Sequence, residues 1–198
     1  MSSLPVTIEA YARSQPEGTV VSAKSLLHLG NRAALDQALA RLTRQGRLLR
    51  MGRGGYVAPV EGRFGTRAPD PAKVVRSWAE QEHETVVPHP GASANRLGLS
   101  LQVPMRPIYL TSGRSRKLRL GKLEIELRHA GPRSLKAGEG FISEAVRALE
   151  WLGPEDALAR LPDLIKRMSP ADCLALLNAR RVMPTWLASE VSKAVGRG

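Results

Sequence analysis

Six residues share one side of a single helical stretch: Arg32, Ala33, Asp36, Gln37, Arg41 and Arg44. Their chemistry is recognition. An Arg guanidinium forks onto the O6 and N7 of guanine, and a Gln amide does the same with the N6 and N7 of adenine. The four nearer the start, Arg32, Ala33, Asp36 and Gln37, are placed to meet base edges. Arg41 and Arg44, further along, suit phosphate oxygens. The same pattern also suits an amphipathic helix whose charged face stands in water.

The opposite side of that stretch carries Leu35, Ala38, Leu39 and Leu42 at spacings of three and four, so the helix has a face to bury. Asn31 caps it and Gly46 closes it. Before it, Ser22 is read as the cap of a short helix, AKSLLHL, in which Leu26, Leu27 and Leu29 are buried and which Gly30 ends. An earlier helix begins near Pro5 and sets Ile8, Tyr11 and Ala12 on one side. After Gly46, residues 47–51 and 56–58 read as two strands joined by a Gly-rich turn with Arg53 at its tip. Arg53 can reach a phosphate or a narrow minor groove, or it can stand in solvent. Helix, turn, helix and two-stranded wing, in that order, describe a winged helix-turn-helix over residues 1–60.

Charge agrees with a polyanionic partner. The 198 residues carry 30 Lys and Arg against 18 Asp and Glu, a net charge of +12. Residues 1–60 hold eight basic against three acidic side chains, and residues 101–140 hold nine against three, while the rest is close to balanced. A second basic patch, Arg114, Arg116, Lys117 and Arg119, contacts phosphate or an acidic surface, or is a solvated turn.

Residues 61–69 are polar, contain Gly62, Gly65 and Pro69, and are read as a linker. Residues 70–198 then form a second domain. Asp70-Pro71 opens a helix with Val74, Val75 and Trp78 inward. Short strands are expected at 85–87 and 108–111, with a short helix at 92–97. Residues 117–120 and 123–127 alternate apolar and polar about Gly121-Lys122, the mark of a hairpin with one buried face. The remainder is helical. Starts fall near Phe141, Pro154, Pro170 and Pro184, with a split expected at Pro162. Leu158, Leu161, Leu164, Ile165 and Met168 are assigned to one apolar stripe, and Cys173, Leu174 and Leu177 to the next. The fold class is α+β: a winged helix-turn-helix followed by an α/β domain with a small, mostly antiparallel sheet and a helical tail.

The residues argue against catalysis. His28, His83, His89 and His129 are scattered without metal-ligand spacing, and the turn 111–117 lacks the GK[ST] ending of a P-loop. Ser93 lacks the second glycine of a nucleophile elbow, and the lone Cys173 reads as packing. No enzyme activity, metal or cofactor is expected. No 18-residue apolar run and no signal-peptide core are present in the sequence, so the expected compartment is the cytoplasm, with no membrane partner.

The words Leu42-Thr43-Arg44-Gln45-Gly46-Arg47-Leu48 and Arg50-Met51-Gly52-Arg53-Gly54-Gly55-Tyr56-Val57 resemble the N-terminal winged helix of the AbiEi-type antitoxins, the regulators of bacterial abortive-infection toxin–antitoxin operons. The order of elements from residue 92 to the 117–127 hairpin is similar to that family's C-terminal domain. The resemblance implies a repressor of its own operon, bound to double-stranded operator DNA with inverted repeats. It also implies a second domain that counters a nucleotidyltransferase-like toxin. Two other readings stay open: a stand-alone winged-helix regulator with a ligand-binding or dimerising second domain, and a module whose basic faces engage an acidic protein.

Overall fold

The computed structural model describes residues 3–52, 54–63, 65–102, 105–135 and 140–196, without the side chain of Arg133. The fold is α+β. It divides into two compact units, the first made of Met1–Val86 and Ser115–Leu127, the second of Val87–Arg114 and Arg128–Gly198. The stretch 70–198 therefore contributes to both units.

The first unit holds α1 (Leu4–Ser14), β1 (Val20–Val21), α2 (Arg32–Arg44), β2 (Leu49–Arg50), β3 (Tyr56–Val57), β4 (Val60–Gly62), β5 (Gly65–Arg67) and α3 (Pro71–Glu82). Strands β1 and β2 flank β3, both antiparallel, with Val20 and Leu49 each opposite Val57. Ile8 of α1, Leu26, Leu35, Leu39 and Leu42 of α2, and Leu48 are all within 2% of full burial and form one cluster.

Two segments differ from what the sequence predicts. The helix expected over 23–29 is a run of turns. The Ser25 hydroxyl accepts from the Ser22 N–H at 2.9 Å and the Ser22 hydroxyl accepts from the Ser25 N–H at 3.1 Å, so the segment opens on a reciprocal cap, but a regular helical ladder does not follow it. One Leu26 N–H to Ser22 O bond is followed by a tighter Leu29 N–H to Leu26 O bond, and Leu27 points outward at 52% exposure. The linker at 61–69 is a hairpin of β4 and β5, with Val60 opposite Arg67. It is pinned because Arg67 Nη1 reaches Glu17 Oε1 at 3.1 Å.

Glu17 ties this region to α3. It accepts from Lys73 Nζ at 2.6 Å and from the Asp70 N–H at 3.1 Å. The Lys73 hydrogen bond above all, then the Asp70 N–H, hold its carboxyl down at about 2. A depressed carboxylate stabilises the fold above its ordinary value of 4.5, and that stabilisation disappears as pH falls toward 2. Glu17→Gln should therefore lower the melting temperature at pH 7, and its deficit against wild type should shrink through pH 4 to pH 3. A deficit that stays constant across that window would remove the assignment.

Two later strands complete this unit: β8 (Arg116–Leu120) and β9 (Leu123–His129), of which Arg128 and His129 belong to the second unit. They pair antiparallel from Arg116 opposite Leu127 to Leu120 opposite Leu123, as the alternation predicts. The turn needs Gly121 at φ 62°. Leu118, Leu120, Ile125 and Leu127 are buried.

The second unit holds α4 (Pro90–Arg96), β7 (Ile108–Thr111), α5 (Pro132–Leu135), α6 (Phe141–Lys166), α7 (Pro170–Asn178), a 3-10 turn (Ala179–Val182) and α8 (Thr185–Val195); β6 (Val86–Pro88) leads into it. Leu99, Val146, Leu149, Leu161, Leu164, Leu176 and Leu187 are among its core. Helix α6 breaks at Gly153, at φ 79°, ahead of Pro154. The split expected at Pro162 does not occur. Leu158 and Leu174, assigned to buried stripes, are 43% and 60% exposed; the core position on α7 is Leu176. Burial pushes the Arg147 guanidinium below its ordinary value and the Glu150 carboxyl above its own.

Candidate nucleic-acid interface

Helix α2 begins where Asn31 Oδ1 accepts from the Ala34 N–H at 2.9 Å. It ends as the Arg47 N–H donates to the Leu42 carbonyl at 2.9 Å, with Gly46 at φ 70°. Burial of Leu35, Ala38, Leu39 and Leu42 fixes its rotation. That rotation leaves Arg32, Ala33, Asp36, Gln37, Arg41 and Arg44 all exposed. Arg41 and Arg44 lie in the last turn, where a cation also complements the helix dipole.

The six are not equivalent. Arg32 Nε pairs with Asp36 Oδ2 at 2.9 Å, both well exposed. Such a pair contributes about 0–1 kcal/mol, so a base edge can displace it at small cost. Until then Asp36 offsets the Arg32 charge. Gln37, Arg41 and Arg44 have no side-chain partner among the described residues. Their donors are available to an incoming ligand.

Behind α2, β2 and β3 form the expected short hairpin, closed by a Met51 N–H to Gly55 O bond at 2.9 Å. Arg53, expected at the tip, lies outside the described residues.

The residues of the second basic patch divide between the two units. Arg114 belongs to the second unit, whereas Arg116, Lys117 and Arg119 belong to the first. Arg116 is half-buried. Its guanidinium lies 4.8 Å from the Trp78 ring centroid and Nη2 meets Glu84 Oε1 at 2.6 Å, which anchors the start of β8 to α3. Lys117 Nζ pairs with Glu124 Oε1 at 3.0 Å. Arg119 is exposed and has no carboxylate partner among the described residues. Arg50 of β2, absent from the sequence-derived set, is also exposed, its Nε donating to the Gly52 carbonyl at 3.3 Å. Its signal was present: it follows Leu49 at the outward step of a strand.

Among the described residues, no three His, Cys, Asp or Glu converge to hold a metal ion, and no helix is long and apolar enough to cross a membrane.

Residues 7–171 match the profile of the family of unknown function DUF6088. The chain belongs to that family. Comparison with curated proteins gives no match. Among solved structures, this DUF6088 chain is similar to the RV2827C protein from Mycobacterium tuberculosis, at 17% identity and a TM-score of 0.51, covering 96% of this chain and 75% of that one. At that identity the likeness speaks for the α+β fold alone.

Proposed function

We propose that this DUF6088 chain is a sequence-specific DNA-binding transcriptional repressor, its N-terminal part a winged helix-turn-helix with α2 as the recognition helix. The observation that carries the reading is the outward face of α2. It presents Gln37, Arg41 and Arg44 without internal partners, on a helix whose rotation is locked by Leu35, Leu39 and Leu42, and a short hairpin follows it. Unoccupied donors on a rigid helix are what base and phosphate contacts require. Binding, not catalysis, is the activity, and it belongs in the cytoplasm.

The resemblance to AbiEi-type antitoxins supports a second role, as the antitoxin of a toxin–antitoxin pair that represses its own operon. A nucleotidyltransferase-like toxin is the expected partner. Co-expression with the neighbouring reading frame tests this role: growth arrest by the neighbour alone, relieved by this chain, supports it. A harmless neighbour leaves a stand-alone regulator.

The DNA reading is tested by fluorescence anisotropy on a duplex taken from upstream of the chain's own reading frame, against a scrambled duplex of equal length. Gln37→Ala should cost about 1–3 kcal/mol on the upstream duplex and little on the scrambled one. Arg41→Ala should weaken both alike. Equal wild-type affinity for the two duplexes, unchanged by Gln37→Ala, would sink the recognition-helix assignment.

A further inference from the structure

The β8–β9 hairpin, some seventy residues after β2 in sequence, returns to it. The Arg119 N–H donates to the Met51 carbonyl at 2.9 Å. That bond sets β8 beside the end of β2 and opens a cleft of about 270 Å³ lined by Arg50, Met51, Gly52, Lys117, Arg119 and Glu124. We propose that this cleft is a phosphate-binding site for the DNA backbone, in which Arg50 and Arg119 hold phosphate oxygens. The proposal rests on the DNA-binding reading of α2 and extends it to an element outside the first sixty residues.

Three observations converge on it. The first is how the cations of the first unit are used. Arg13 and Arg47 are paired with Glu9, Arg67 and Lys73 with Glu17, Arg116 with Glu84, and Lys117 with Glu124. Arg50 and Arg119, like Lys24, Arg41, Arg44 and Lys122, have no carboxylate partner among the described residues, and they are the two of these that meet in one cleft. Glu124 is the one carboxylate of the lining, and Lys117 already holds it, so the cleft keeps a surplus of positive charge.

Orientation is the second. Leu118 and Leu120 are buried on either side of Arg119, so the strand's period of two turns Arg119 outward. Arg116, held over Trp78 and against Glu84, fixes where the strand begins. The arginine is positioned before any ligand arrives.

The third is the character of the walls. Met51 is buried to 1% exposure and the lining contains no aromatic side chain, so the cleft offers no ring on which a base could stack, and its charged side chains suit the nucleic-acid backbone rather than the bases. Gly52 leaves one wall without a side chain, and a Cβ there would meet nothing within 4 Å, so a sugar-phosphate chain can approach the backbone. Paired Arg forks on such a wall match phosphate geometry.

The test uses the full chain and the same two duplexes, with affinity followed from 50 to 200 mM salt. Arg119→Gln and Arg50→Gln should each weaken the upstream and scrambled duplexes by a similar factor, about three- to tenfold, and lower the log–log salt slope by about one. Arg119→Lys, which keeps the charge, should retain the slope. Unchanged affinity and slope in both Gln variants, with Gln37→Ala still losing sequence discrimination, would overturn the cleft while leaving the α2 reading intact. Wild-type protein that binds neither duplex removes both. Loss of binding to poly-glutamate in Arg119→Gln, with DNA binding untouched, also overturns the proposal, in favour of an acidic protein partner.

Discussion

Gly18→Ala is expected to destabilise the first unit by about 3 kcal/mol or more, the sum of left-handed backbone strain and a steric collision. Gly18 sits at φ +87°. A Cβ built on it falls 2.6 Å from Lys73 Cβ and 2.9 Å from both Lys73 C and Val74 N. Two of those three atoms are the main chain of α3, which cannot swing aside like a side-chain end. Relief therefore requires α3 to back away from the β1 edge. The Val20 N–H bond to Ser77 Oγ, 2.9 Å long, and the bond from Gln81 Nε2 to the Val20 carbonyl both cross that contact and would be stretched with it. Gly46 is the control: its φ is +70° but nothing lies within 4 Å of its Cβ position. Gly46→Ala should cost about 1 kcal/mol, from strain alone. Urea unfolding of the two variants separates the terms. Equal losses would mean that α3 is not seated against residue 18 as described.

Leu39→Ala is the second large effect. Leu39 is fully buried at the centre of the α2 stripe, in the cluster with Ile8, Leu26 and Leu48. Removing it should cost about 2–5 kcal/mol, a large share of the 5–15 kcal/mol that holds a typical domain together. The consequence for binding is distinctive. Substitution of an exposed residue such as Gln37 should change affinity without changing stability, whereas Leu39→Ala loosens the helix that carries the proposed base contacts. Its DNA affinity should recover as the protein is cooled toward its temperature of maximum stability, while that of Gln37→Ala should not. Thermal melts followed by circular dichroism, alongside anisotropy at two temperatures, read both effects. A Leu39→Ala protein that melts like wild type would show that α2 is not held by this cluster.

Much of this was legible in the amino-acid sequence because it is local. The three- and four-residue spacing of Leu35, Ala38, Leu39 and Leu42 determined both the helix and its exposed face, since a helix has one period and one side can be buried. The two-residue alternation about Gly121-Lys122 determined the β8–β9 register in the same way. Ser169-Pro170 marked the start of α7, because the serine hydroxyl caps a free N–H and the first turn has no use for the N–H that proline lacks, and Pro184 marked that of α8.

What the sequence could not decide are the outcomes of competition between distant groups. Whether Leu158 and Leu174 are buried depended on which neighbouring helix covers them, which an apolar stripe alone does not specify. Basic positions of the first unit look alike in sequence, yet Lys117 is neutralised by Glu124 and Arg116 by Glu84, while Arg50 and Arg119 are left facing outward. The sequence by itself determined the elements and the charge they carry. Tertiary structure alone decided which charges are available, because an ion pair or a strand contact is set by distance in space, and the bond from Arg119 to Met51 spans some seventy residues of chain with no local pattern to announce it.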